Sequence, residues 1–140
     1  MIQNVLLDAG PLAALVNPRD QWHEWVRSQF AEIEPPLLIC EAVLSEACFL
    51  ARRLHGGVDH VLALKERGVI QLGFALKEQF DEVAALLRRY TSVPMSLADA
   101  CLVRMSELKV DSVVLTLDRD FRVYRRYHRQ KIPLRIPRGL

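Results

Sequence analysis

Short apolar runs that alternate with longer helical segments constrain the fold of this 140-residue chain more than any other feature. Four runs have the length and the flanking turn residues of buried strands. Strands that alternate with helices predict a mainly parallel sheet covered by helices on both faces. We therefore expect an α/β fold, a three-layer α/β/α sandwich. The four predicted strands are Ile2–Leu7, Leu37–Cys40, Val69–Phe74 and Ser112–Leu117.

Six segments between and after these strands are predicted to be helical. Pro11 suits a first helical turn, and Asp20 and Ser96 are typical N-caps. The predicted helices cover residues 11–17, 20–31, 41–55, 58–67, 76–90 and 96–109. In the fifth of them the apolar stripe predicts four inward-facing side chains, which are Phe80, Val83, Ala84 and Leu87.

Length and composition exclude several classes of protein. The length fits one domain over residues 1–140, and 51% apolar against 26% charged residues excludes a mainly disordered chain. The longest stretch without a charge, Ala9–Pro18, is half of what a membrane span needs. Because no secretory leader opens the chain and the cysteine count is odd, we expect reduced thiols and a cytoplasmic protein without membrane contact.

The basic residues are concentrated at the C-terminal end. From Arg119 onwards there are eight basic residues and one acidic residue, Asp120, although the whole chain carries a net charge of only +2. This asymmetry indicates a polyanionic partner. The same segment is expected to contain a short amphipathic helix, with aromatic residues facing inward and arginines facing solvent, and an edge strand at Ile132–Ile136. The aromatic residues are Phe121, Tyr124 and Tyr127.

Two carboxylates follow predicted strands directly. Asp8 comes after the first strand and Asp118 after the fourth, so both are expected at the edge where open α/β sheets bind ligands. Each also has a structural alternative, because Asp8 could cap the helix that follows and Asp118 could belong to a turn.

Two further carboxylates are predicted on helices. Glu46 has apolar residues three and four positions away on both sides, which predicts a buried face or a partner for its charge. Asp99 lies three residues after Ser96, a spacing that also predicts a capping box.

The four acids could converge on one pocket. Like charges at close range repel unless a cation neutralises them, and oxygen ligands without His or Cys favour Mg²⁺ or Mn²⁺. Such a site is typical of metal-assisted phosphoryl transfer.

Four motifs carry a resemblance to a known family. They are Leu6-Leu7-Asp8-Ala9-Gly10-Pro11-Leu12, Ala42-Val43-Leu44-Ser45-Glu46-Ala47, Ser96-Leu97-Ala98-Asp99-Ala100 and Leu115-Thr116-Leu117-Asp118-Arg119-Asp120-Phe121. In this order and spacing they resemble PIN-domain ribonucleases, and most of all the VapC-like toxins of type II toxin–antitoxin pairs.

The resemblance implies an endoribonuclease that depends on Mg²⁺ or Mn²⁺. It implies metal-binding and catalytic roles for Asp8, Glu46, Asp99 and Asp118, with Thr116 and Ser96 in support. It also implies an RNA substrate, an antitoxin partner and a homodimer, with the early helices contacting the antitoxin. The candidate phosphate contacts in the basic tail are Arg119, Arg122, Arg125 and Arg126.

Several alternatives stay open. Asp118 and Asp120 compete for the fourth acidic role, and the sequence does not distinguish one metal ion from two. Ala9-Gly10 stands where the family more often has Ser or Thr. A PIN-like protein that binds or processes RNA as a housekeeping factor, or that has lost catalysis, is the alternative to a toxin.

Overall fold

The computed structural model describes residues 3–140, and its centre is a five-stranded parallel sheet. The spatial order of the strands is β3-β2-β1-β4-β7, and β5 and β6 form a separate antiparallel hairpin. The strands are β1 (Asn4–Leu7), β2 (Leu37–Ile39), β3 (Ile70–Leu72), β4 (Ser112–Leu115), β5 (Arg125–Arg126), β6 (Gln130–Lys131) and β7 (Leu134–Arg135).

Six helices flank the sheet, which confirms the predicted α/β/α class. Among the described residues, no helix is long and apolar enough to span a membrane. The helices are α1 (Ala9–Leu15), α2 (His23–Glu32), α3 (Glu41–Ala51), α4 (Gly57–Glu66), α5 (Leu76–Arg89) and α6 (Leu97–Leu108).

The order of the strands creates a switch point between β1 and β4. The chain begins in the middle of the sheet at β1, adds β2 and β3 on one side, and then returns to place β4 on the other side. In this register Leu7 lies opposite Leu115, so the residues that follow both strands emerge at the same level. Open α/β sheets bind ligands at the carboxyl ends of strands beside such a switch point.

The core is made by the inner strands and α6. β1, β2 and β4 are buried on both faces apart from Asn4, as expected of parallel strands covered by helices. Seven of the twelve residues of α6 are buried, and the helix packs on β1 and β4. The apolar core therefore fixes α6 against the strand ends that carry the acidic residues.

Most element ends differ from the sequence-based expectation by a few residues. The part of the first predicted strand before Gln3 lies outside the described residues. α2 begins at His23 because Asp20 accepts the backbone N–H of Trp22 and forms a turn ahead of the helix. α3 ends at Ala51, where the chain continues in turns: the Arg52 N–H donates to the Phe49 carbonyl oxygen at 3.3 Å and the Leu54 N–H to the Ala51 carbonyl oxygen at 3.1 Å.

The segment after Asp118 differs from its prediction. A 3₁₀-helix at Arg119–Arg122 is followed by the β5–β6 hairpin instead of one amphipathic helix. Phe121 and Tyr124 are buried as predicted, whereas Tyr127 is 41% exposed. The predicted edge strand is confirmed in β7, which pairs in parallel with β4.

The prediction that Phe80 faces inward was wrong. Its side chain is 60% exposed, while α5 buries Val83 and Leu86 against the core. Helical periodicity identified the apolar stripe, but it could not show how far along the stripe the core extends.

Candidate active site

Asp8 and Thr116 form the centre of the site at the ends of β1 and β4. The Asp8 carboxyl is buried at 6% exposure. Its Oδ2 accepts a hydrogen bond of 2.7 Å from the Thr116 hydroxyl, and its Oδ1 accepts one of 2.8 Å from the Ala9 N–H. The Thr116 hydroxyl oxygen in turn accepts the Asp118 N–H at 2.9 Å. Thr116, to which the resemblance gave a supporting role, thus donates to one of the acids, and Asp8 also caps α1.

Asp99 forms the capping box that its spacing from Ser96 predicted. The Ser96 N–H donates to Asp99 Oδ2 at 3.0 Å, and the Asp99 N–H donates to the Ser96 hydroxyl at 3.1 Å. Oδ1 of Asp99 takes part in no hydrogen bond within residues 3–140. The structural and functional interpretations of Asp99 are therefore compatible, because one oxygen completes the cap and the other stays available to a ligand.

Glu46 reaches the site from α3, but its environment differs from the prediction. The expected burial was wrong, because Glu46 lies on an exposed face and its apolar neighbours Phe49 and Leu50 are themselves 52% exposed. An exposed glutamate keeps several rotamers and can adjust its carboxylate to a ligand. Glu46 is therefore the most adaptable of the candidate acids.

Asp118 and Asp120 lie in the turn that follows β4. Asp118 Oδ1 accepts the Asp120 N–H at 2.9 Å and caps the 3₁₀-helix, as the turn alternative predicted. Both side chains are partly buried and line the same cavity. The competition between them for the fourth acidic role therefore remains open.

All candidate acids line one open cavity of about 550 Å³. The predicted convergence of Asp8, Glu46, Asp99 and Asp118 on one pocket is confirmed, and Asp120 joins them. The apolar and small residues of the wall come from α1, α3, the loop before α6, the loop after β4 and the segment after β7. The lining residues are Asp8, Gly10, Glu46, Leu50, Pro94, Ser96, Asp99, Leu117, Asp118, Arg119, Asp120 and Leu140.

The pKa values of three carboxyls are raised in this cavity. Burial, with repulsion from Asp99 and Glu46, raises the pKa of Asp8 to about 7, although the hydrogen bonds from Thr116 and Ala9 oppose the shift. Burial and neighbouring carboxylates also raise the pKa of Asp99. The side chain of Glu46 is exposed as a whole, but partial desolvation of its carboxyl, with repulsion from Asp99 and Asp118, raises its pKa as well. Repulsion among these carboxylates disfavours the state in which all of them are ionised. A bound cation would favour that state and lower the pKa values again.

The donor set fits a hard divalent cation. Among the residues that the structure describes, five carboxylates and Arg119 are the charged groups of the cavity, and no His or Cys lines it. Carboxylate oxygens are ligands that Mg²⁺ and Mn²⁺ prefer. Within residues 3–140, however, no three acidic, histidine or cysteine side chains stand in an arrangement that could hold a metal ion directly. The acids thus share a cavity without forming a closed ligand cluster.

The four candidate arginines differ in what they offer to a polyanion. Arg119 is exposed and lines the cavity, and Arg122 is exposed with its Nε donating to the Leu140 carbonyl. Arg125 is half-buried, and its Nη1 donates to the carbonyl oxygens of Arg122, Val123 and Tyr124.

The prediction of a phosphate contact for Arg126 was wrong. Its side chain is buried at 3% exposure, and its Nη1 donates to the carbonyl oxygens of Ser106 and Val110 near the end of α6. A guanidinium placed there neutralises the negative end of the helix dipole and cannot reach a phosphate in solvent.

Sequence reasoning missed two parts of the site. Pro94 and Leu140 line the cavity, but neither carries a chemical signal in the sequence. Tyr124 was expected only as an inward aromatic, yet its hydroxyl donates to the Pro94 carbonyl oxygen and lies 3.5 Å from Asp99 Oδ2. The position of a hydroxyl at the far end of a buried ring depends on tertiary packing.

The fold and the site define a class of protein. Residues 5–127 match the PIN domain family, so the chain belongs to that family, and the resemblance seen in the four motifs is confirmed. Among solved structures, the chain is similar to the crystal structure of VapC20 from Mycobacterium tuberculosis, described as a sarcin-ricin loop cleaving toxin. The TM-score is 0.75 at 22% identity, over 84% of this chain and 92% of that one. No curated protein sequence shows significant similarity to the chain.

Proposed function

We propose that the chain acts as one nuclease domain, a metal-dependent endoribonuclease and the toxin of a toxin–antitoxin pair. The observation that carries the proposal is the set of five carboxylates around one cavity at the switch point of a PIN-family sheet. The similarity in fold to a toxin that cleaves RNA supports the same assignment.

Asp8, Glu46, Asp99 and Asp118 would bind the cation, Mg²⁺ or Mn²⁺. Because no three of them hold a metal-binding arrangement within residues 3–140, binding requires adjustment of the side chains, above all of the exposed Glu46. When bound, such an ion lowers the pKa of a water ligand and neutralises charge on the phosphate. Thr116 fixes the rotamer of Asp8 by donating to Oδ2, and Ser96 fixes Asp99 through the capping box. Asp120 is held beside Asp118 and is the alternative fourth acid.

The substrate in this proposal is RNA. A metal site made of carboxylates repels a polyanion until cations occupy it, so positive charge is needed at the rim. Arg119 lies in the cavity lining and Arg122 at the other end of the same 3₁₀-helix, and both are exposed. We propose these two arginines, with a smaller contribution from Arg125, as the phosphate contacts.

The experiment is cleavage of RNA by the purified chain with Mg²⁺ or Mn²⁺, and with EDTA as the control. A hairpin with the sequence of the sarcin–ricin loop is the first substrate to test, because the similar toxin cleaves that loop. We expect cleavage that depends on the metal and that Asp8→Asn or Asp99→Asn reduces by at least about a hundredfold. The exposed Asp81 on α5 supplies the matched control, Asp81→Asn, which should retain activity.

Two outcomes would contradict the proposal. Full activity of Asp8→Asn or Asp99→Asn would remove these residues from the site. RNA binding by the wild-type chain without cleavage under any metal condition would favour the alternative of an inactive or housekeeping PIN protein.

The proposed protein partners are an antitoxin and a second copy of the chain. A cavity of about 440 Å³ between α1, α2 and α4 supports an antitoxin contact at the early helices. It is lined by Leu15, Val16, Pro18, His23, Arg27, Phe30, His60 and Leu64. The exposed Phe80 supports a protein-facing surface on α5.

The proposed location is the cytoplasm, where the three free cysteines would remain thiols.

A further inference from the structure

Tyr124 connects two segments of the chain that carry acids of the site. One is the turn after β4, and the other is the loop that leads into α6. The residue is fully buried, and its backbone N–H donates to the Asp120 carbonyl oxygen at 3.1 Å. At the other end of the side chain, the hydroxyl donates to the Pro94 carbonyl oxygen and lies 3.5 Å from Asp99 Oδ2. One side chain therefore bridges the turn of Asp118 and Asp120 and the loop that leads into α6.

Two aromatic rings hold the Tyr124 ring in place. Tyr90 and Phe121 both meet it edge to face, with ring centroids 5.2 Å apart and interplanar angles of 71° and 80°. The Tyr90 hydroxyl accepts the Arg125 N–H at 2.9 Å, which fixes the neighbouring backbone as well. A ring packed in this way leaves its hydroxyl little freedom to turn to another partner.

Tyr124 lies close to only one of the two carboxylate oxygens of Asp99, which is Oδ2. Oδ2 accepts from the Ser96 N–H at 3.0 Å and lies next to the Tyr124 hydroxyl, whose nearer acceptor is Pro94. Oδ1 has no donor among residues 3–140 and remains the free oxygen of a carboxylate that lines the cavity. Fixing Oδ2 thus orients Oδ1, and fixing Pro94 holds the loop from which α6 begins.

We propose that Tyr124 is a positioning residue that orients the Asp99 carboxylate for binding of the divalent cation. The inference rests on the proposed function, since it assigns Asp99 to the cation. Tyr124 contacts no substrate in this proposal. Its hydroxyl proton goes to the Pro94 carbonyl oxygen, so it holds the loop from which the Ser96 N–H donates to Asp99 Oδ2. Hydrogen-bond partners outside a metal site orient the ligands in this way.

The test compares Tyr124→Phe with Tyr90→Phe. Both variants remove one hydroxyl from the same aromatic cluster, but only the Tyr124 hydroxyl contacts the loop and the carboxylate of Asp99. The first measurement is the Mn²⁺ dissociation constant from titration calorimetry without RNA, at a temperature where unfolding curves show every variant folded. We expect Tyr124→Phe to weaken Mn²⁺ binding about tenfold and Tyr90→Phe less than twofold.

The second measurement separates positioning from general loss of structure. In RNA cleavage by Tyr124→Phe, kcat should fall at low Mn²⁺ and recover at saturating Mn²⁺, while KM for RNA stays unchanged. Wild-type Mn²⁺ affinity in Tyr124→Phe, or equal weakening in Tyr90→Phe, would overturn the inference alone. A wild-type chain that binds no Mn²⁺ would overturn the proposed function and this inference together.

Discussion

At the scale of single residues, several acids of the site have a structural role and a proposed chemical role at once. Asp8 caps α1, Asp99 completes the capping box of α6, and Asp118 caps the 3₁₀-helix. In each case one oxygen satisfies backbone N–H groups at a helix start, where a negative charge is favourable. The same positions lie at the end of the sheet where a ligand can enter, so a cap and a metal ligand can share one carboxylate.

The raised pKa of Asp8 predicts a pH-dependent loss of stability in the metal-free protein. Between the ordinary aspartate pKa of 3.8 and the folded value of about 7, the folded state binds more protons than the unfolded state. Stability therefore falls as pH rises through this window, by an amount on the order of 4 kcal/mol. Asp8→Asn removes the charge and keeps a neutral side chain of the same shape.

Urea unfolding in EDTA at pH 4, 5.5 and 8 measures this effect. We expect Asp8→Asn to be more stable than the wild type at pH 8, with the difference vanishing near pH 4. Asp81→Asn, on an exposed face of α5, should change stability by less than about 0.5 kcal/mol at every pH. Parallel pH profiles for the wild type and Asp8→Asn would contradict the prediction.

At the scale of elements, the β5–β6 hairpin is fastened to the end of α6 by a buried arginine. Arg126 Nη1 bonds two carbonyl oxygens there, and Tyr127 donates from its backbone N–H to Glu107 Oε2 at 2.8 Å. Tyr127 and His128 have positive φ values of 51° and 68°, a conformation that costs non-glycine residues energy. Contacts with α6 therefore offset the strain of the hairpin loop.

We predict that Arg126→Ala is strongly destabilising. The change leaves the Ser106 and Val110 carbonyl oxygens without their donor and removes a buried side chain, which should lower the free energy of unfolding by about 2–4 kcal/mol. Arg129→Ala, in the same hairpin but exposed, is the control and should cost less than about 0.5 kcal/mol. Chemical denaturation measures both variants, and equal small effects would show that Arg126 does not fasten the hairpin.

At the scale of the whole molecule, charge is divided between an acidic cavity and a basic C-terminal segment. Five carboxylates line the cavity, and Arg119 is the only basic residue in its lining among the described residues. Arg119 is also the first residue of the basic C-terminal segment. A polyanion would thus be held by the rim while its phosphate faces the acids. In the proposed function, substrate affinity and metal binding therefore depend on different side chains, so the two can be changed separately.

We predict that RNA binding weakens steeply with salt and that Arg119 contributes to the slope. In EDTA, where cleavage is prevented, the affinity measured by fluorescence anisotropy should fall linearly in a log–log plot against salt concentration. Arg119→Ala should reduce the magnitude of that slope by about 0.7 for single-stranded RNA. Arg67→Ala, at an exposed position after α4 and outside the cavity lining, should leave the slope unchanged. A flat salt dependence in the wild type would remove the basic segment from the RNA interface.

The order of strands and helices as far as β4, the class of fold and the acids that line the cavity could all be predicted from the sequence. These follow from local patterns: apolar runs bury as parallel strands, and an acid directly after such a strand must emerge at its carboxyl end. The resemblance implied only a supporting role for Thr116, and its bond to Asp8 was found in the structure, where two adjacent parallel strands in register bring their next residues together.

Which side chains are exposed or buried could not be predicted in the same way. The exposure of Glu46 and Phe80, the burial of Arg126 and the reach of the Tyr124 hydroxyl all depend on which other elements pack against a given face. Periodicity assigns a residue to a face of its own helix or strand. Whether a distant segment covers that face is a long-range property, and no local pattern contains it.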